Sequence, residues 1–294
     1  MRRPHTETVD RPIAAAAAAA TTAALLTACI PASWGANALL HPTRHAGAAR
    51  SVPGLQEVTF AGEGVTLEGW RIAATGARHG TIVYLHGIAD NRMSGAGVAE
   101  RFAARGFDVI AYDSRAHGNS GGDACTYGYY EKRDLMRVLD RIDSRPIVLF
   151  GVSLGAAVAL QTAAIDSRPA AVVAVEVFSD LETVVRDRAP WFVSERDVRD
   201  SLSLAEKQAA FRVSDVSPVK AAARIRIPVL LIHGAEDHDT PPEHSKRVFE
   251  ALAGPKRLIL VPHAGHNHSL NGPVWREIDD WLDAALRSSR EPVR

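Results

Sequence analysis

The sequence predicts an α/β protein built on a mostly parallel, eight-stranded sheet with helices on both faces and a small helical insertion at one edge. Three observations carry this expectation. Short runs of branched apolar residues recur along the chain and alternate with stretches of helical periodicity. From Thr81 onward those runs are apolar throughout, as strands covered on both faces require. One long interval, Phe178 to Arg226, holds no strand although it separates two runs expected to be near neighbours.

The chain has 294 residues and a formal net charge of zero, a length that suits one large domain or two small ones. A neutral balance carries no polyelectrolyte signal, so nucleic acid is not expected as a partner. The two cysteines, Cys29 and Cys125, form no metal-ligand pattern, and no metal site is expected. A disulfide between them is conceivable.

Residues 1–40 read as a signal peptide or membrane anchor. Arg2, Arg3 and Arg11 precede a stretch from Ile13 to Ile30 without a charge, dominated by Ala14 to Ala20 with Leu25 and Leu26. Leu26-Thr27-Ala28-Cys29 resembles a bacterial lipobox, in which the cysteine is lipidated after cleavage. The rival is an uncleaved signal anchor running on through Trp34 to Leu40, and an Ala-rich leader without structure is a third reading. The first two place the rest of the chain outside the cytoplasm, held at a membrane. Residues 41–55 are small and polar and read as a linker.

Gln56–Phe60 and Leu67–Ile72 flank Ala61-Gly62-Glu63-Gly64 and predict an antiparallel hairpin. Thr81–Leu85 is the third strand, followed by a helix over Val98–Arg105 that Gly106 closes. Asp108–Tyr112 is the fourth. A helix with Leu135, Val138, Leu139 and Ile142 on one face leads to the fifth, Ile147–Phe150. Ala170–Val177, Pro228–Ile232 and Arg257–Val261 complete the sheet, with helices at His244–Leu252 and Val274–Leu286. Residues 56–177 and 221–288 thus form the core, and 178–220 a small helical lid at the strand ends, where ligands bind in such sheets.

Gly151-Val152-Ser153-Leu154-Gly155 joins the fifth strand to an Ala- and Leu-rich helix. A sharp turn there holds Ser153 at the tip of the sheet, and small residues on either side let strand and helix nearly touch. The helix N-terminus adds free N–H groups and positive potential where an oxyanion would form. A serine hydroxyl needs a base to remove its proton and an acid to orient that base. Two loops at the same sheet edge offer them: His233 to Pro242 and Pro262 to Ser269.

With these pieces assembled, the chain resembles an α/β-hydrolase of the serine-hydrolase type, similar to the membrane-anchored Bem46-like and prolyl-oligopeptidase-related group. The matching segments are LHG at Leu85–Gly87, YDSRAHGNSGG at Tyr112–Gly122, TYGYYEKRDL at Thr126–Leu135, GVSLG, IPVLLIHGAEDHDTPP from Ile227, and AGHN at Ala264–Asn267. The resemblance implies Ser153 as nucleophile, Asp237 as acid with Asp239 as fallback, and His266 as base among the nearby His263 and His268. It implies backbone N–H groups of Ile88 and Leu154 as the oxyanion hole, no cofactor, and an acyl-enzyme mechanism on carboxylic esters. Peptide cleavage, thioester cleavage or acyl transfer would use the same triad, and a non-catalytic surface protein could keep the fold. His86, Asp113, Arg115 and His117 are expected to shape loops, and Glu176 to be paired or solvated at the rim. The aromatic content of the insertion, Phe178, Trp191 and Phe192, suggests an apolar acyl pocket for lipid-like esters or, equally, the insertion's own core.

Overall fold

The structure, a computed structural model, describes residues 31–46 and 53–288. The Ala-rich leader up to Ile30, with Cys29, lies outside the described residues. Cys125 is buried and unpaired among them.

The sheet has eight strands: β1 (Leu55–Ala61), β2 (Thr66–Ile72), β3 (Gly80–Leu85), β4 (Phe107–Tyr112), β5 (Ile147–Val152), β6 (Pro169–Val175), β7 (Val229–Gly234) and β8 (Lys256–Val261). Their spatial order is β1-β2-β4-β3-β5-β6-β7-β8. β1 and β2 form the predicted hairpin, β2 pairs antiparallel with β4, and every other pairing is parallel. Each strand falls within two residues of the run that predicts it.

Helices surround this sheet: α1 (Ala32–Leu40), α2 (Ala96–Ala103), α3 (Glu131–Leu139), α4 (Leu154–Ala163), α5 (Leu181–Arg188), α6 (Glu195–Ala209), α7 (Pro218–Ala222), α8 (Glu243–Ala251) and α9 (Gly272–Ser288). The period-2 alternation of strand side chains splits the core in two. Val83, Leu149, Val172 and Leu231 face the layer that contains α3, α4 and α8. Ile82, Tyr84, Val148, Phe150, Val173 and Leu230 face the layer of α2 and α9. In α9 the buried residues Val274, Ile278 and Leu282 recur every fourth position, one stripe of a helix lying on a sheet. α4 is buried from Leu154 through Thr162, which its alanines permit by presenting little bulk to the strands. β8 ends the sheet with a largely exposed face and carries Lys256 and Arg257, charges that discourage further strand pairing.

The topology fixes where a ligand can enter. From β3 the chain steps to β4 on one side, then returns to β5 on the other. The connections after β3 and β5 therefore diverge, leaving a crevice beyond the carboxyl ends of these strands. Ser153 sits at that point.

Ala32–Leu40, expected within a signal peptide or membrane anchor, is a helix docked on the fold. Ala36 and Leu40 are buried, and a Cβ added at Gly35 would come 2.2 Å from Ser201 Oγ of α6. The Cys125 N–H donates to Leu40 O at 2.8 Å, and His41 Nδ1–H to Asp123 O at 2.7 Å, which ties residues assigned to a linker into the fold. Among the described residues no helix is long and apolar enough to cross a membrane. The 178–220 interval is helical as expected, holding α5, α6 and most of α7.

Candidate active site

The turn after β5 is as sharp as the sequence demands. Ser153 has φ 50° and ψ −110°, a conformation that costs a non-glycine residue about 1–3 kcal/mol. The neighbouring glycines have no room for a side chain. A Cβ on Gly151 would lie 2.4 Å from the Gly155 carbonyl, and one on Gly155 would lie 2.1 Å from Leu85 O. The turn is held from both sides: the Ser153 N–H donates to Val175 O at 2.8 Å, and Ser153 O accepts from the Ala157 N–H at 3.1 Å.

Ser153 is 4% exposed, and it lines a cavity of about 520 Å³ with Gly87, Ile88 and His266. The β3 loop lies directly against the serine, since a Cβ on Gly87 would stand 3.7 Å from Ser153 Cβ. Among the described residues neither the Ile88 nor the Leu154 N–H donates to a protein acceptor. Leu154 opens α4, so its N–H is one of the donors a helix leaves unpaired, backed by the positive end of the helix dipole.

The acid and the base converge from two loops. His266 Nδ1–H donates to Asp237 Oδ2 at 2.7 Å, leaving Nε2 as the acceptor nitrogen. No hydrogen bond joins Ser153 Oγ to His266 among the described residues; the two meet as walls of one cavity. Asp237 is buried, and burial by itself would push its carboxyl up. Hydrogen bonds from His233, His266 and the Thr240 N–H outweigh that and hold it well below the ordinary carboxylate range. The Asp239 N–H also donates to Asp237 Oδ1, at 3.0 Å.

The rivals raised by spacing are placed elsewhere. Asp239 lines the cavity but makes no bond to His266 among the described residues. His263 is exposed and paired with Glu236 at 2.8 Å, and His268 is exposed against the carbonyl of His266.

The loop-shaping group is buried. His86 Nδ1–H donates to Gly87 O, so Nε2 accepts the Ser114 N–H at 2.9 Å, joining the loops after β3 and β4. Burial keeps His86 below the usual histidine range, and burial with the His86 ring 5.1 Å away pushes His117 down to about 4. Asp113 pairs with Arg92, and Arg115 makes a two-pronged bond to Asp134.

Glu176 is paired, one of the two expected alternatives, but not solvated. It is fully buried rather than at a solvated rim, has φ 55°, and accepts from the Asn267 N–H at 2.6 Å and Ser269 Oγ at 2.5 Å. Its carboxylate therefore grips the loop that carries His266. Atoms of Glu176, Asp237 and His266 lie within 4.8 Å of one another. Both carboxylates already accept at least two protein donors each, an arrangement suited to orienting an imidazole rather than to surrounding a cation.

The three pocket aromatics also need correcting. Phe178 is a core residue, edge-on to Tyr127 at 6.5 Å. Trp191 and Phe192 meet edge to face on the outside, 96% and 56% exposed, because α5 ends at Arg188 and Pro190 carries the chain out to an exposed turn. None of them lines the cavity. Asp90, Asp187, Arg188, His238 and Asp239 do, and composition could not have found them: their position depends on how four loops meet.

The comparisons with known proteins agree with this architecture. A family described as "alpha/beta hydrolase fold" matches residues 80–202, and one described as "PhoPQ-activated pathogenicity-related protein" matches residues 194–293. The Mycobacterium tuberculosis protein Rv2307c is 30% identical over 210 residues, covering 70% of this chain and 69% of its own. The Bacillus subtilis protein YqkD is 28% identical over 233 residues, covering 75% and 76%. In structure, an esterase of Pyrococcus furiosus, Pf2001, superposes with a TM-score of 0.66 at 22% identity, covering 85% of this chain and 98% of the esterase. Together with the sheet order and the serine turn at its switch point, these likenesses establish that the chain belongs to the α/β-hydrolase superfamily.

Proposed function

We propose that the chain is a serine hydrolase that cleaves carboxylic esters through an acyl-enzyme. The single observation that carries the reading is the convergence on one cavity of Ser153, Ile88 of the β3 loop and His266, the last held by Asp237 at 2.7 Å, with Leu154 next to the serine at the start of α4.

In the reaction Ser153 Oγ attacks the ester carbonyl while His266 Nε2 takes its proton. Asp237 keeps the imidazole in the tautomer with Nδ1–H and stabilises the imidazolium that forms. The oxyanion accepts from the N–H groups of Ile88 and Leu154, each such donor lowering the barrier by about 3 kcal/mol. His266 returns the proton to the leaving alcohol. Water, activated by the same nitrogen, then releases the acid and restores Ser153. No atom outside the protein, the ester and water enters these steps.

A fluorophosphonate should form one adduct, located on Ser153 by peptide mass spectrometry. Ser153→Ala should abolish the adduct and lower turnover of simple esters by about four to six powers of ten, with unchanged far-UV dichroism. An unlabelled wild-type protein would refute the reading.

Two expectations beyond the site are carried as proposals. The 178–220 helices act as a lid, a reading supported by Asp187 and Arg188 at the end of α5 forming cavity wall. Residues 1–30 direct export and anchor the protein at a membrane, with Cys29 lipidated, a reading supported by the basic start, the uncharged stretch and the lipobox-like residues. Mass spectrometry of the mature N-terminus decides the second.

A further inference from the structure

Most residues lining the cavity over Ser153 are polar or charged, with Ile88 as an apolar part of the lining. Its wall carries three carboxylates, Asp90, Asp187 and Asp239, against one guanidinium, Arg188. Arg188 gives its donors to Asp239 O at 2.9 Å and Thr240 Oγ1 at 2.6 Å. Asp187 is bonded to His244 Nε2 at 3.0 Å. Asp90 accepts only the N–H of Asn91, and neither Asp90 nor Asp239 belongs to an ion pair among the described residues. Two more carboxylates, Asp237 and Glu176, lie buried beside the cavity floor at His266. Asp187, Arg188 and Asp239 are exposed and Asp90 is half-buried, so the field is that of a charged, solvated rim, which still draws counter-charge toward the cavity.

That field bears on the chemistry. A negative surround opposes the oxyanion formed at the ester carbonyl, against the two N–H groups, the N-terminus of α4 and the imidazolium. A positive charge on the substrate offsets the opposition and is drawn into the cavity. The apolar alternative finds no support here, since Trp191 and Phe192 face outward and Phe178 is core.

We propose that the substrate is a small ester carrying a cationic group, an ammonium or substituted ammonium, seated against Asp90 and Asp239. This rests on the esterase reading, whose failure is separable in the test. The probes are three fluorophosphonates of equal size whose alkoxy tails end in trimethylammonium, tert-butyl or carboxylate, reacted with the full chain. Labelling of Ser153 is followed by mass spectrometry. The trimethylammonium reagent should react at least about tenfold faster than the tert-butyl reagent, and the carboxylate reagent slowest. The advantage should shrink as salt rises, since screening shortens the reach of exposed charges. Asp90→Asn and Asp239→Asn, each keeping an acceptor oxygen, should each bring the ratio of cationic to neutral rates toward one. Labelling of Ser153 at equal rates, or fastest by the carboxylate reagent, overturns the inference and leaves the hydrolase standing. A wild-type ratio that both variants leave unchanged overturns the assignment to these two carboxylates. Failure of all three reagents to label Ser153 overturns the esterase reading and the inference with it.

Discussion

Glu176 Oε2 stands 3.6 Å from His266 Nδ1, behind the 2.7 Å bond that Asp237 makes to the same nitrogen. Two buried carboxylates thus address one imidazole, but they do different things. Asp237 accepts the Nδ1 proton. Glu176 accepts from the Asn267 N–H and Ser269 Oγ, the residues just past the histidine. In the proposed mechanism it is a positioning residue, acting through the loop. Glu176→Gln can keep both loop bonds, its oxygen accepting from the Asn267 N–H and its NH₂ donating to Ser269 Oγ, so what it removes is the negative charge 3.6 Å from the imidazole. The expected outcome is a kcat about tenfold lower with KM little changed, because that charge bears on the imidazolium formed in the chemical step rather than on binding. Glu176→Ala, which removes both acceptors, should lose more. Equal kinetics for wild type and both variants would confine Glu176 to packing.

Asp237 couples activity to stability. Its carboxyl is held down by three hydrogen bonds that outweigh burial, so it is charged in the folded protein at pH values where an ordinary aspartic acid is already protonated. A depressed folded value gives stability that is fully present above the unfolded value of about 3.9 and is lost as pH falls from there through the folded value. Asp237→Asn should therefore lower the urea midpoint relative to wild type at pH 6, and the gap should narrow below about pH 4. Turnover at neutral pH should fall by about four powers of ten, since an amide no longer fixes the Nδ1–H tautomer. A gap that widens on acidification would contradict the assignment.

How much of this was legible in the sequence follows from which forces set each feature. The strands were, because a doubly covered strand must be apolar along its length, and β3, β5 and β7 are. The serine turn was, because only small residues fit where Gly155 meets Leu85 O at the distance of a methyl clash. The choice of Asp237 over Asp239 came only by resemblance; in the structure it follows from a turn in which the Asp239 and Thr240 N–H groups both point back to Asp237 Oδ1. Glu176 was legible only as an odd carboxylate ending an apolar strand, since its partners lie about ninety residues later in the chain. The direction of Trp191 and Phe192 was not legible at all. An aromatic in a helical insertion has the same composition whether it faces in or out.

The elbow offers a direct test of packing. Gly155→Ala must move Leu85 O or the first turn of α4, because the added carbon would sit 2.1 Å from that oxygen. Overpacking of this kind costs about 1–3 kcal/mol, and here it also displaces Leu154 N–H and Ser153. Both the denaturation midpoint and the rate of fluorophosphonate labelling should fall. Gly97→Ala is the control. It lies in α2 with nothing within 4 Å of the added carbon, and the gain in helix propensity should raise stability by about 0.5 kcal/mol.

The docked N-terminal helix yields the last expectation. Leu40 is among the largest fully buried side chains, sitting in the same core layer as α3 and α4. Trp34, one and a half turns earlier, is 66% exposed. If α1 were the tail of an anchor, replacing either would leave the stability of the hydrolase core unchanged. If it is part of the fold, Leu40→Ala should cost about 2–5 kcal/mol, while Trp34→Ala stays within about 0.5 kcal/mol. The helix also packs on α6, where Gly35 meets Ser201, so a bulkier residue at position 35 should loosen the 178–220 insertion and raise amide exchange in α6. The same geometry constrains any anchor. Cys29 stands three residues before the start of α1, so a lipid on it would be tied closely to the catalytic body instead of through a long flexible tether. Membrane attachment of that kind would restrict how the cavity faces the bilayer.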